Sequence, residues 1–439
     1  MSNFDLTVPA VNARPGPGQT SPARVRTDVV GFVGVGGPRH RHEAKRIDDW
    51  TSYVATYLRD DAGQALDEPP GARLAEAVRE FFANGGARCV VVNIGAQIDS
   101  TNTDPLVADM LGIPDEPPTE LAGLPVRPIG LELLLTMPEV SLVILPELHA
   151  RVPVEGVAGS ERPLFSNPEL LTLQRLFLNR LAQPRERWRV FTLLEPPIEA
   201  DALAALRWRD ALGDHGYAAL YWPWVVVEDG AEAPTHTLPP SFAVAGVYAR
   251  VDLACGPHRP PANERLRDVV VLTEQVEDRV QADLYAGGVN LLRAFPGFGI
   301  HVWGARTLLW DPYASPRPEL NPLSFVNARR CLTAIERNAE HIAQRSGSAA
   351  QRSDALASMR LTRELRAQLL AAYESGALAG DTPEQAFFVR SCADSSAAED
   401  ELVCKIGVAL AAPAEFIVFR LIRRQGMIEI EEAGPSRAS

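Results

Sequence analysis

The feature that most constrains this chain is the alternation across residues 140–227, where short apolar runs are separated by longer amphipathic stretches. Val140–Leu145, Arg189–Leu194 and Ala218–Val227 have the length and composition of buried strands. Pro168–Leu181 and Ala200–Leu212 carry a helical apolar stripe between them. A strand covered on both faces reads as a continuous apolar run, and such strands joined through helices build a parallel sheet with helices on its faces. Val29–Val35 and Cys89–Ile94 are further runs of this kind. Between them, Asp48 or Asp49 can cap a helix carrying Trp50, Tyr53, Val54 and Tyr57, and a second helix places Leu74, Val78, Phe81 and Phe82 on one stripe.

Downstream, the pattern predicts a helix over Phe242–Leu253 and a buried strand over Val269–Leu272. The turn-rich Pro296-Gly297-Phe298-Gly299 predicts a hairpin joining Asn290–Phe295 to Ile300–Trp303. A long helix over Phe325–Gln344 is followed by a small, polar link, Ser346–Ser353, and by a helix over Thr362–Glu374. Strands follow at Ala386–Arg390, Val403–Ala409 and Glu415–Ile422, and Met427–Glu431 alternates like a half-exposed strand. The reading divides the chain into an N-terminal arm (1–26), the first part of the core (27–94), a Pro- and Asp-dense surface insertion or small module outside the core (95–138), the main core (139–426) and a C-terminal arm (427–439). The fold class is α/β: a mixed sheet flanked by helices, with extended arms at both ends.

At 439 residues, 46% hydrophobic and 23% charged, the chain has the composition of a folded globular protein. Its net charge of -13 comes with no basic block to collect phosphates, so no nucleic-acid partner is expected. No apolar run reaches the roughly 20 residues that span a bilayer, and Met1–Arg14 lacks the apolar segment of a signal peptide. Cytosolic folding without membrane insertion is expected. The five cysteines are scattered, with no C-x-x-C pair, and read as reduced thiols packed as small hydrophobes.

No constellation points to catalysis. Gly34-Val35-Gly36-Gly37-Pro38 follows a strand but lacks the spacing of a dinucleotide loop, and Pro38 removes an amide where a phosphate would need one. His40-Arg41-His42 could hold a metal only with ligands from elsewhere, and reads better as a solvated charged turn. The acidic pairs Asp60-Asp61, Glu399-Asp400-Glu401 and Glu431-Glu432 lie in polar segments. Tyr221-Trp222-Pro223-Trp224 ends a buried strand, where large rings anchor a core or a subunit interface. Catalytic residues, cofactor and metal ligands are therefore all expected to be absent.

Several collinear segments nevertheless share a pattern. Ala218–Val227 is similar to a strand with a Tyr-Pro-Trp core, carried here by Tyr221, Pro223 and Trp224. Leu238-Pro239-Pro240-Ser241, followed by Val244-Ala245-Gly246-Val247-Tyr248-Ala249-Arg250, is similar to a Pro-Pro-Ser, Ala-Gly-X-Tyr-Ala-Arg pattern. Gly288-Val289-Asn290, Phe295-Pro296-Gly297, Gly299-Ile300 and Val302-Trp303-Gly304-Ala305-Arg306-Thr307-Leu308 are the closest match. Phe81–Val92 and Ile406–Phe419, which contains Phe416, extend it towards both ends. Together they resemble the contractile tail sheath family of phages and bacterial injection systems. The chain departs from that family around Ala343–Leu356, where many members carry a Phe-Glu-Pro-Asn segment.

The resemblance implies a non-enzymatic structural subunit. Such subunits form stacked hexameric rings around an inner tube and contract to drive the tube through a target envelope. The implied partners are further copies and paralogs of the chain, the tube protein, and baseplate and cap proteins. The subunit would be cytoplasmic at assembly, in a phage tail-like particle that can be released from the cell. A minor sheath paralog at the baseplate or cap end is the alternative, with an unrelated α/β enzyme behind it. The residues expected to exchange strands between subunits are Phe4, Leu6, Val8 and Val11 in one arm and Met427, Ile428 and Ile430 in the other.

Overall fold

The computed structural model describes residues 25–95, 97–113, 127–157, 160–182, 189–228, 235–309, 321–347, 355–392, 402–410, 416–424 and 427–436. The chain begins with β1 (Val29–Val35), β2 (Ala44–Ile47), α1 (Trp50–Tyr57), α2 (Leu74–Ala83) and β3 (Cys89–Gly95). Asp49 caps α1 by accepting the backbone N–H of Ser52. Next come α3 (Asp104–Leu111), α4 (Gly130–Leu135), β4 (Val140–Ile144) and a small ribbon, β5 (Arg151–Pro153) with β6 (Glu161–Pro163). The central alternation is realised as α5 (Asn167–Ala182), β7 (Phe191–Leu194), α6 (Ala202–Leu212) and β8 (Ala218–Trp222). After β9 (Val225–Glu228), β10 (Thr235–Leu238), α7 (Pro240–Cys255), β11 (Val269–Leu272) and α8 (Asp278–Ala286) comes the hairpin of β12 (Asn290–Phe295) and β13 (Gly299–Trp303).

The main sheet has the order β13-β12-β8-β7-β4-β1-β3-β2. Its six inner strands are mutually parallel, and β13 and β2 close its edges antiparallel to their neighbours. Period-two alternation sorts each strand's side chains between two cores. Val29, Val33, Val90 and Val92 face a layer that includes Leu134 of α4, Phe177 of α5, Ala205 of α6 and Leu284 of α8. Val30, Phe32, Cys89 and Val91 face Tyr53, Tyr57, Val78 and Phe81 of α1 and α2 and Phe242 to Val251 of α7. This is the expected α/β architecture, a mixed sheet between two helical layers.

A third core lies beyond it. There α9 (Val326–Gly347), α10 (Ala355–Glu374) and α11 (Pro383–Ala386) pack on an antiparallel sheet of β14 (Phe387–Cys392), β15 (Leu402–Ala409), β16 (Phe416–Arg424) and β17 (Met427–Ser436), in that order.

Several expectations change. Residues 218–227 are not one strand: β8 ends before the cis Trp222–Pro223 peptide, and β9 starts a separate sheet of order β10-β9-β11. Proline offers no N–H to a ladder, so the run breaks there despite its apolar continuity. Its partner β10 lies in a stretch for which the sequence pattern predicts no strand. Strand β11 is an edge, not a buried strand, since Val270 and Val271 are 51% and 43% exposed. The stretch after Gly95 is not free of core: Met110, Leu111, Leu131, Leu134 and Leu135 all belong to the core on the α5 side of the sheet. The short strand β2 and helix α8 have no counterpart in the reading, and α10 begins at Ala355, ahead of Thr362. Ser346 and Gly347 are still in α9, while the remainder of the polar link, 348–353, lies outside the described residues.

Candidate assembly interface

In doubly wound sheets, ligands bind beyond the carboxyl ends of the strands, where the winding direction reverses. Here that place lies between β1 and β4, because β1 connects to β3 on one side while β4, β7 and β8 run to the other. It is filled from within by Glu147, which is fully buried. One carboxylate oxygen accepts the backbone N–H of Val35 at 2.9 Å. The other accepts the N–H of Arg73, the residue that leads into α2, at 3.0 Å. A carboxylate of the chain thus occupies the position of an anion at a helix start. Gly34 has room for no side chain, since a Cβ would lie 2.8 Å from Glu147 Oε1. Gly36 donates to Asn93 Oδ1 at 2.8 Å, so the glycine-rich segment is held by side chains of its own fold. Burial pushes the Glu147 carboxyl up to about 7, against the two backbone donors, which favour its charged form.

Close by, His149 and Glu195 form a buried pair at 2.6 Å, with Trp224 edge-on to His149 at 5.0 Å between ring centres. Glu195 also accepts the N–H of Ser241, the serine of the Pro-Pro-Ser segment, at 3.3 Å. The adjoining cleft holds about 30 Å³, far below the roughly 300–1,000 Å³ of small-molecule sites. Among the described residues, no group of three or more His, Cys, Asp or Glu could hold a metal. None of their helices is long and apolar enough to cross a membrane.

Most of the family-motif residues described turn inwards and join elements to one another, while Pro296, Gly297 and Trp303 are exposed. Asn290 donates to Leu220 O at 3.1 Å and to Arg306 O at 2.8 Å, and accepts the N–H of Arg306 at 2.7 Å. It therefore stitches β8, β12 and the segment after β13 together. Gly304 is required where that segment passes Asn290, because a Cβ would come within 2.9 Å of Asn290 Oδ1. Tyr221 and Tyr248 share a buried hydroxyl contact at 2.9 Å, linking β8 to α7. The Arg306 guanidinium stacks on Tyr285 of α8 at 3.9 Å. Arg250 donates to Asn84 O and to Arg265 O, both at 2.9 Å, tying α7 to the end of α2. Pro296, Gly297 and Gly299 build the hairpin turn, with φ of 78° and 87° at the two glycines. Trp303 packs on Phe295 at 5.2 Å and is partly exposed.

The C-terminal sheet ends in two open strand edges among the described residues. Strand β17 is hydrogen-bonded to β16, with Met427 opposite Arg424, Ile428 opposite Arg423 and Ile430 opposite Leu421. In the single chain this terminal strand, expected to exchange between subunits, pairs antiparallel with β16 of its own sheet. Phe416 opens β16 opposite Ala409. The outer edges of β14 and β17 pair with no other strand among the described residues, and open edges of this kind accept added strands. Phe4, Leu6, Val8 and Val11 lie outside the described residues. The sequence reading missed Glu147, Glu195, Asp252 and Arg330; a lone acidic residue inside the apolar stretch 140–150 was the available signal for Glu147.

With that geometry in place, the comparisons agree with one another. Residues 167–308 match the family described as phage tail sheath protein central domain. The fold matches a chain of the contracted helical sheath of the anti-feeding prophage, with 25% identity, 93% of this chain and 98% of that chain covered, and a TM-score of 0.62. A chain of that prophage's six-fold symmetrised baseplate matches with 24% identity, the same coverage and a TM-score of 0.63. A chain of the contracted PVC sheath, from an extracellular contractile injection system, matches with 22% identity, 93% and 97% coverage and a TM-score of 0.60. Among curated protein sequences none matches. Residues 167–308 are thus a phage tail sheath central domain, set in a chain with the fold of contractile sheath proteins.

Proposed function

We propose that this chain is a sheath subunit that assembles as stacked hexameric rings around an inner tube and contracts to drive that tube through a target envelope. The observation that carries the reading is the match to a helical sheath protein over 93% of the chain. Assembly uses the open edges of the C-terminal sheet: residues 1–24 of one copy, or β17 of another, add to the sheet of a neighbour and tether the rings while each α/β core moves as a rigid body. Contraction needs no nucleotide on this reading, because an extended lattice that buries less surface than the contracted one stores the energy at assembly. The switch point closed by Glu147 supports such a passive part.

The partners are copies and paralogs of the chain, the tube protein, and baseplate and cap proteins. Assembly occurs in the cytoplasm, and the particle acts outside the cell. A second reading, a minor sheath paralog at the baseplate end, draws on the equally strong likeness to a baseplate chain. Negative-stain microscopy of the purified protein with its tube protein tests both. Long striated tubes support the bulk subunit, single rings on short tubes support the baseplate paralog, and dispersed monomers under all tube and salt conditions contradict both.

A further inference from the structure

The two faces of α9 differ in kind. Leu332, Ile335, Ala339 and Ile342 face the C-terminal core. After Val326, which packs into the α/β core at the start of the helix, the side towards that core carries charge instead. Arg330 makes a bidentate pair with Asp252 at 2.7 and 2.9 Å and lies 4.9 Å from the Tyr248 ring. Arg329 donates to the Tyr217 hydroxyl at 3.1 Å. Glu336 and Glu340 meet Arg189 at 3.1 and 3.5 Å, and Arg337 donates to Pro138 O. A seam made of ion pairs has far less hydrophobic area to lose on separation than a packed core, so such seams permit relative motion more readily than apolar ones.

One short segment crosses this seam. The N–H of Val25 donates to Asn338 Oδ1 on α9 at 2.8 Å. Thr27 O accepts from Arg330 at 3.0 Å and also from Ser141 at the start of β4. Asp28 leads directly into β1. On either side open clefts of about 280 and 270 Å³, both lined by Val25. The segment is bonded to α9 and to the central sheet at once, and it holds the guanidinium that bridges them.

We propose that residues 25–28 are a strap that governs how the C-terminal module, α9 to β17, sits on the α/β core, with Arg330–Asp252 as its latch. Releasing the strap frees the module to pivot on the ionic seam while both cores stay folded. Where the N-terminal arm engages a neighbour, tension on it reaches this latch directly. The coupling itself belongs to the single chain and stands or falls apart from assembly.

Paired spin labels at Leu203→Cys on α6 and Met359→Cys on α10, both exposed, with Cys255→Ser and Cys392→Ser, report the distance across the seam. The full chain and a variant lacking residues 1–24 are expected to give one narrow distribution. Removing 1–28 is expected to shift or broaden it. If that variant does not fold, Asn338→Ala frees Val25, and Arg330→Met with Asp252→Leu removes the latch without stranding a buried charge; either is expected to broaden the distribution likewise. A distribution unchanged in both position and width from that of the full chain in every folded variant overturns the proposal.

Discussion

At the scale of single residues, two buried side chains carry more than their size suggests. Glu147 has a folded-state pKa of about 7 against an ordinary 4.5 because burial opposes its charge. The fold therefore holds the proton more tightly than the unfolded chain does. Its contribution to stability is complete below the unfolded value and is lost as pH rises from about 4.5 through 7, with an upper bound of about 3 kcal/mol. Denaturant midpoints for the parent are expected to fall between pH 5 and pH 8, with a smaller fall in Glu147→Gln; equal pH dependence in both contradicts this. Asn290 makes three hydrogen bonds across two strands and a loop. Asn290→Ala leaves buried backbone groups without partners and is expected to cost about 3 kcal/mol, read from urea unfolding. Asn290 was legible in the sequence as part of a motif, but its role was not. Its partners Leu220 and Arg306 are distant along the chain, and spacing carries no information about such a junction.

At the scale of elements, the buried parallel strands and amphipathic helices were readable because their patterns follow from burial alone. Strand β1 faces two cores and shows seven buried residues in a row. Failures came where local pattern and tertiary context part. Val269–Leu272 is as apolar as a core strand yet lies at an edge, and Leu131 to Leu135 reach the core from a stretch whose composition resembles a loop. Strand β17 shows a further limit, since sequence alternation does not say which chain a terminal strand pairs with. Among the described residues, the two cores around the main sheet contain none of β17. Deleting 427–439 is therefore expected to leave the circular dichroism and thermal unfolding of the α/β core essentially intact while abolishing polymerisation. Sheaths of normal length after this deletion contradict the proposed exchange.

At the scale of the whole molecule, the two helix-covered faces of one sheet form a body whose motif residues serve its own integrity, with a separate antiparallel sheet offering open edges. This division of labour suits a protein that keeps its core rigid and changes its neighbours. The site expected of an α/β enzyme is occupied by the chain's own carboxylate, for which the lone acidic residue in the apolar stretch 140–150 was the sequence's one signal. The central claim is that the chain polymerises through its termini. Its most direct test is electron microscopy of the purified full chain, of a variant lacking residues 1–24 and of one lacking 427–439, each mixed with the tube protein. The account predicts striated tubes of stacked six-fold rings for the full chain and soluble, folded, unpolymerised protein for both deletions. Tubes of equal length from all three would contradict it.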